Sequence, residues 1–418
     1  MEPIAHLLVE KSEPPEYDEQ TLKAHNENSG KYVAEALRCI ELDKVGSFCG
    51  KIHDLGKATK KFFDYIQPGN TLRRGEVNHT FAAVRYIFEI SDGVDNEVRE
   101  LLAYAVGAHH GQFDAVNDDH KNGFEHRLTK DGIDYDEAKK NFNKYCFSDA
   151  ELKSQFNSAA EQLTKIIAGI RERNPKRSAR QAEEYEFQIS LLARLLLSAV
   201  IEGDRRDTAE FMENMEFPQV EADWDECLGH IEEKLGKFSN TRPIDGARKQ
   251  ISDICRAAAE EEPGIFRLNV PTGAGKTLSG LRFAVAHAKA YRKKRIIFTS
   301  PLLSILDQNA KIIREFIGDD NIITEHHSNV ALDEDNADEL KRAQLLTENW
   351  SSPVIITTLV QLLDTLFAGK TSCIRRMHAL CDSVIVIDEV QTVPNEMLSL
   401  FNTAVNFLSE VCGATIVL

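Results

Sequence analysis

The chain has 418 residues, 42% of them hydrophobic and 28% charged, with a formal net charge of −17. That length exceeds one ordinary core, so two or three domains are expected, and the composition excludes a disordered or fibrous chain. The acidic balance excludes broad nonspecific affinity for nucleic acid, but not basic residues confined to a groove.

No run approaches the roughly 20 apolar residues of a membrane span, so no membrane association is expected. The N-terminal stretch MEPIAHLLVEKSEPPE lacks the basic region of a secretory signal. The eight cysteines are scattered, with no C-x-x-C pair, which predicts reduced thiols in a cytoplasmic protein. Basic clusters at Arg171 to Arg180, Arg205-Arg206, Arg292 to Arg295 and Arg375-Arg376 read first as solvated surface faces.

Residues 1–215 read as a helical domain. Helix-period apolar patterns cover Tyr32 to Leu42, Thr80 to Ile90, Val98 to Val106, Ala150 to Ile170 and Glu183 to Ile201, and strand-like alternation is nearly absent. The polar stretch Asp114 to Lys140 reads as a long loop. Residues 216–245 read as a connector around one short helix. From 246 to 418 short apolar strands alternate with helices, which predicts an α/β domain with a mainly parallel sheet. The expected strands are Ile265 to Val270, Arg295 to Thr299, Val354 to Thr357, Val384 to Ile387 and Thr415 to Leu418. The helices are Ile244 to Glu260, Leu278 to Ala290, Ile305 to Ile317 and Leu359 to Phe367.

The first chemical centre is IHDLGK, Ile52 to Lys57. His53 and Asp54 are adjacent ligand-type side chains, and on a helix Lys57 returns to their face. The chain adds His25, His79, the doublet His109-His110 and Asp204, with Glu202 and Asp207 as rivals to Asp204 within one turn. Imidazole and carboxylate without thiolate suit two iron, manganese, nickel, cobalt or zinc ions and point away from a structural zinc. Asp54 is the natural bridge, since its two oxygens can face two ions. His25, His53, Asp54 and Asp204 then form one group, and Asp54, His79, His109 and His110 the other. Such a pair activates water and stabilises charge on a phosphodiester, with Lys57 available to a phosphate oxygen. Any one histidine alone would more often be a surface or hydrogen-bonded residue, and the remaining eight are so assigned, His6 least firmly.

This order of motifs resembles the HD phosphohydrolase superfamily. The strings GKIHDLGK and HHGQFD are similar to its branch in the CRISPR-associated nuclease-helicases, the effectors of type I systems. The resemblance implies an all-α HD domain that cuts single-stranded DNA and places the metal ligands on His25, His53, Asp54, His79, His109, His110 and Asp204. The family's last motif often carries a second acid in a D-A-D-R form. Here it reads EGDRRDT, which leaves Asp204 as the ligand.

The second centre is PTGAGKT, Pro271 to Thr277, between an apolar strand and a helix, as a phosphate loop requires. Thr272, Gly273, Ala274 and Gly275 form the loop, Lys276 reaches the β- and γ-phosphates, and Thr277 ligates magnesium. Val270 stands where the general pattern has its first glycine. VIVIDEV, Val384 to Val390, delivers Asp388 for magnesium and Glu389 for the attacking water. The string DEVQ, with TSPLLSILDQN and ITTLVQLLDTLF, resembles superfamily-two helicases of the DExD/H type. It implies a RecA-like first lobe, ATP and magnesium as cofactors, and DNA contacts at Thr299, Ser300, Thr357 and Thr358. It also implies a second lobe, absent from these 418 residues; a fragment and a split gene both fit.

The leading expectation is a nuclease-helicase recruited by an RNA-guided surveillance complex to degrade foreign DNA, which in this length keeps nuclease but not helicase activity. The alternatives are an HD phosphohydrolase acting on nucleotides with a regulatory ATPase lobe, and a non-catalytic module docking on a partner or a protein inhibitor.

Overall fold

The structure is a computed structural model that describes residues 2–9, 16–72, 77, 79–113, 123–129, 134–217, 220–239, 241–271, 273–327 and 347–418. The chain divides into two compact units. The first is Met1–Phe217 with Gly369–His378, and the second is Pro218–Ala368 with Ala379–Leu418.

The first unit opens with an antiparallel hairpin, β1 (Ile4–Val9) against β2 (Tyr17–Thr21). Strands were not expected here. YDEQT has no apolar alternation, and cross-strand pairing rather than local pattern decides its state. The rest is helical: α1 (Leu22–Leu37), α2 (Asp43–Ile52), α3 (Lys60–Ile66), α4 (Thr80–Ile90), α5 (Asn96–Gly107), α6 (Gly123–Leu128), α7 (Tyr135–Tyr145), α8 (Asp149–Arg173) and α9 (Ala179–Met212). Two expectations need correction. The pattern over Tyr32 to Leu42 is not one helix, because Glu41 turns left-handed at φ 60° and stops it before α2. The segment Asp114 to Lys140 holds α6 and the start of α7 in its described parts.

Helices α1 and α2 cross at glycines. A Cβ on Gly50 would lie 2.6 Å from Gly30 Cα, and one on Gly46 2.6 Å from the Val33 carbonyl oxygen. That approach brings the start of α1 and the end of α2 together, and these two places carry His25 and His53.

In the second unit α10 (Trp224–Gly236) and α11 (Pro243–Ala258) precede β3 (Ile265–Phe266), α12 (Lys276–Tyr291), β4 (Arg295–Ser300), α13 (Leu303–Ile317) and β5 (Ile323–His326). Next come β6 (Val354–Thr358), α14 (Leu359–Phe367), β7 (Ser383–Ile387), α15 (Leu398–Glu410) and β8 (Thr415–Val417). The six strands pair in parallel in the order β3-β8-β7-β4-β6-β5. Fully buried Ile296, Val354, Ile356 and Val384 fill the sheet, as the apolar runs of a two-sided parallel sheet require. The short strand β5 and the helix α15 were not expected from the sequence. ITEH is too short and polar to signal a strand, whereas LSLFNTAVNFLSE does carry a helical period.

The fold also makes its seams sensitive. Gly50→Ala is expected to destabilise the first unit by about 1–3 kcal/mol, since the added methyl meets backbone rather than a movable side chain. Chemical denaturation of parent and variant measures this.

Candidate functional site

IHDLGK is a helix end, not a helix interior. The α2 helix stops at Ile52, His53 caps it by donating its N–H to the Cys49 carbonyl, and Leu55–Lys57 forms a 3₁₀ turn. The turn still delivers Lys57 to Asp54, with Nζ 2.6 Å from Oδ2. Gly56 is required here, because a Cβ would lie 1.9 Å from the His79 carbonyl oxygen.

The first unit gathers all seven residues singled out as ligands. Asp54 is fully buried, and its two oxygens face different groups. Oδ2 lies 3.2 Å from His25 Nε2 and 3.4 Å from His53 Nε2. Oδ1 lies 3.7 Å from His109 Nε2 and 3.9 Å from His79 Nε2. Asp204 Oδ1 lies 3.5 Å from His25 Nε2 and 3.6 Å from His53 Nε2. Ligand atoms of His25, His53, Asp54 and Asp204 fall within 4.8 Å of one another, as do those of Asp54, His79 and His110. His109 groups within the same limit with His110 and Asp204. His79 and His110 approach through their Nε2 atoms at 2.9 Å.

The donor chemistry fits divalent cations. His53 Nδ1 donates to the Gly50 carbonyl at 2.7 Å and His109 Nδ1 to the Val106 carbonyl at 2.6 Å. His25 Nδ1 is held by Asp207 Oδ2 at 2.5 Å. These bonds fix the rings and turn each Nε2 inward. The Nε2 atoms of His25, His53 and His109 are buried with no hydrogen-bond partner, and so is Asp54 Oδ1. Each such atom costs about 1–3 kcal/mol if left unmatched, and cations held by the two groups would match them.

The electrostatics agree. Burial opposes charge on Asp54, yet Lys57 and His53 outweigh it and hold the carboxyl well below the usual range. Burial likewise opposes charge on Asp204, but His25 and His53 keep it ionised. Burial lowers His25 and His53, but Asp204, Asp207 and Asp54 raise the first to about 10, and Asp54 and Asp204 the second to about 9. Protons on those two rings balance the two carboxylates, and a divalent cation does the same by displacing them. Burial pushes His79 down to about 4 and His110 to about 3, the neutral form that ligates.

The three acids at the end of α9 separate cleanly. Asp204 faces the imidazoles. Asp207 also accepts from Gln20 at 2.8 Å and Asn28 at 2.7 Å and orients His25. Glu202 is bonded instead to Arg375 Nε at 2.6 Å. Asp207 was visible in the sequence only as a rival ligand, and nothing in the sequence signalled Gln20, Asn28 or Arg375. His6, set aside with the surface histidines, stands edge-on to His25 with ring centroids 4.8 Å apart, its Nε2 3.3 Å from Thr208 Oγ1.

In the second unit the phosphate loop enters α12. Gly273 and Gly275 take φ 81° and 87°, left-handed values that favour glycine. Thr272 lies outside the described residues. Ala274 donates its N–H to the Pro271 carbonyl at 3.1 Å, closing the turn. Arg248, which the sequence did not single out, holds the Gly273 carbonyl from Nε and Nη2 at 2.9 and 2.7 Å. Lys276 Nζ meets Asp388 Oδ1 at 2.9 Å and Glu389 Oε1 at 4.0 Å. Thr277 donates to Asn309 Oδ1 at 3.0 Å. These groups line a crevice with Leu268 and Leu418 at the carboxyl ends of the strands. Three of the four hydroxyls expected to meet phosphates hydrogen-bond to the backbone in this structure. Thr357 donates to the His326 carbonyl at 2.7 Å, Thr299 faces the Val386 carbonyl at 3.4 Å, and Thr358 caps α14. Ser300 Oγ is buried without a partner.

A helical histidine-aspartate centre and a phosphate-loop domain in one chain define a hydrolase that joins an HD domain to a helicase domain. The family models agree: residues 17–199 match the HD domain of Cas3 and residues 252–412 the DEAD/DEAH box helicase. The chain thus carries a Cas3-type HD domain followed by a DEAD/DEAH box helicase domain. It is 22% identical over 432 residues to the Cas3 nuclease/helicase of Haloferax volcanii, covering 90% of this chain and 45% of that protein. Crystal structures of T. fusca Cas3 with ADP and with ATP share the fold at a TM-score of 0.56 and 16% identity. They cover 99% and 100% of this chain and 50% of theirs, so the chain spans about half the length of its relatives. The two domains imply divalent metal ions in the first unit and ATP with magnesium in the second. Among the described residues no helix is long and apolar enough to cross a membrane.

Because Asp207 orients a ligand rather than being one, Asp207→Ala is expected to weaken divalent-metal binding by about 10–100-fold without abolishing it. Calorimetric titration of the variant with manganese reads the change. Unaltered affinity would show that the His25–Asp207 bond carries no weight.

Proposed function

We propose that the first unit is a metal-dependent nuclease acting on single-stranded DNA and that the second is the ATP-binding lobe of the motor that feeds it. The observation that carries the first half is the division of the two buried Asp54 oxygens between two groups of imidazoles. Manganese, cobalt, nickel or iron, when bound there, supplies activated water and charge stabilisation for attack on a phosphodiester. The chain's own residues do the rest. Gly50, Val106 and Asp207 fix three imidazoles by their Nδ1 atoms. Asp204 and Asp54 supply the negative charge that binds cations. The Lys57 ammonium stands at the edge of the Asp54 carboxylate, where it meets a phosphate oxygen. His79 and His110 are the more open side of the cluster, where a strand enters.

In the second unit the Lys276–Asp388 pair occupies the crevice until a nucleotide replaces it. With a nucleotide bound, Lys276 would meet its phosphates, Thr277 and Asp388 would hold magnesium, and Glu389 would orient water. Recruitment by an RNA-guided surveillance complex rests on the resemblance to the Cas3 nuclease/helicases, and a cytoplasmic location on the eight scattered, unpaired cysteines. The second reading, a nucleotide phosphohydrolase with a regulatory ATPase lobe, uses the same ligands and differs only in substrate.

Three outcomes test this. With manganese, cobalt or nickel the chain is expected to cut single-stranded DNA, and Asp54→Ala to reduce cutting to background. Phosphate release from small nucleotides with no DNA cleavage would favour the second reading instead. Lys276→Ala is expected to abolish ATP binding, followed by fluorescent-nucleotide titration, while metal-dependent cutting of single strands persists. The 418-residue chain by itself is expected to turn over ATP poorly, and robust DNA-stimulated turnover would contradict that.

A further inference from the structure

The Arg375-Arg376 pair, which reads as a solvated face in the sequence, is buried: Arg375 is 0% exposed and Arg376 4%. The reason lies in where its segment goes. Residues Gly369–His378 follow α14 and precede β7 in the chain, yet they belong to the first unit. There they run along one stripe of α9. Ser198 Oγ donates to the Arg375 carbonyl at 2.9 Å and accepts the His378 N–H at 2.9 Å. Arg375 Nε donates to Glu202 Oε2 at 2.6 Å, and Arg205 Nη2 donates to Thr371 Oγ1 at 2.9 Å. Positions 198, 202 and 205 are spaced as one face of a helix. Asp204, two residues after Glu202, projects about 200° round the same helix and meets His25 and His53.

We propose that Arg375 is a positioning residue for the metal centre: by holding Glu202 it sets the rotation and depth of the α9 turn that presents Asp204. The inference rests on the metal-centre reading given above. The chemistry of the pair favours positioning over bulk stability. A fully buried guanidinium is expensive, and Nη1 and Nη2 of Arg375 have no hydrogen-bond partner. A hydrophobic pair of similar volume would hold α9 to the segment at least as well. What an apolar pair lacks is direction. The Arg375–Glu202 bond locks one rotation of the helix, and Asp204 is useful only at that rotation. Arg375 acts through Glu202 and touches neither metal ligand nor substrate.

The test is a cobalt titration of the full 418-residue chain, read by the d–d absorption band. The double variant Arg375→Met with Glu202→Leu removes the directional bond together with both of its charges. It is expected to bind Co²⁺ about tenfold more weakly than the parent, with a shifted band, while its far-ultraviolet dichroism and melting remain parental. Ser198→Ala, which disturbs the fold less, is expected to shift affinity in the same direction by a smaller factor. Parental affinity and an unshifted band in both variants would overturn the proposal. So would a double variant that melts early while Ser198→Ala binds cobalt like the parent. Failure of the underlying metal reading looks different: either the parent itself shows no cobalt band, or Asp54→Asn binds cobalt as the parent does. Either result removes the site and the proposal with it.

Discussion

A carboxylate with no exposed surface cannot stay ionised without compensation, and Asp54 is such a carboxylate. Everything near it answers that requirement. Lys57 reaches it from the turn beyond α2, His25 from the first turn of α1, and His79 from the N-terminal end of α4. His109 arrives from just beyond α5. The glycine crossing of α1 and α2 is the packing expression of the same demand. Side chains at Gly46 or Gly50 would separate the two helices that bring His25 and His53 together. The charge at Asp54 therefore explains the geometry of the helices as much as the chemistry of the site.

A second requirement is orientation. An imidazole near a carboxylate is free to turn unless its other nitrogen is tied. In this unit two rings are tied to backbone carbonyls and one to a second carboxylate. That second carboxylate, Asp207, is held by Gln20 and Asn28, so the N-terminal hairpin and α1 both support the ring they surround. The helix α9 thereby works on two faces. One presents Asp204 and Asp207 to the imidazoles, and the other receives a segment that the sequence places inside the nucleotide-binding half.

The phosphate loop shows the same economy in the second unit. Its two left-handed glycines and the Lys276–Asp388 pair belong to the parallel sheet's carboxyl edge, where α/β folds form ligand sites. Arg248 adds a tie from α11 to the loop carbonyl of Gly273. At the ends of β4 and β6, Thr299 and Thr357 donate to backbone carbonyls and Thr358 caps α14.

The sequence by itself determined what is local and periodic. The helix Thr80–Ile90 is marked to the residue by its apolar spacing, and the two chemical centres are marked by residue type and order. Ligand-type residues are few in an apolar setting, and the phosphate loop needs glycine where φ is positive, so both are legible without coordinates. The tertiary structure alone decided what depends on distant partners. Asp204, Asp207 and Glu202 lie within two turns of one helix and are chemically alike. Only the neighbours across the fold separate ligand, orienting acid and ion-pair partner. The burial of Arg375 and the pairing of YDEQT into a strand have the same origin. A residue's own neighbours in sequence set its period and propensity, whereas its charge partner and its share of buried space come from residues far along the chain.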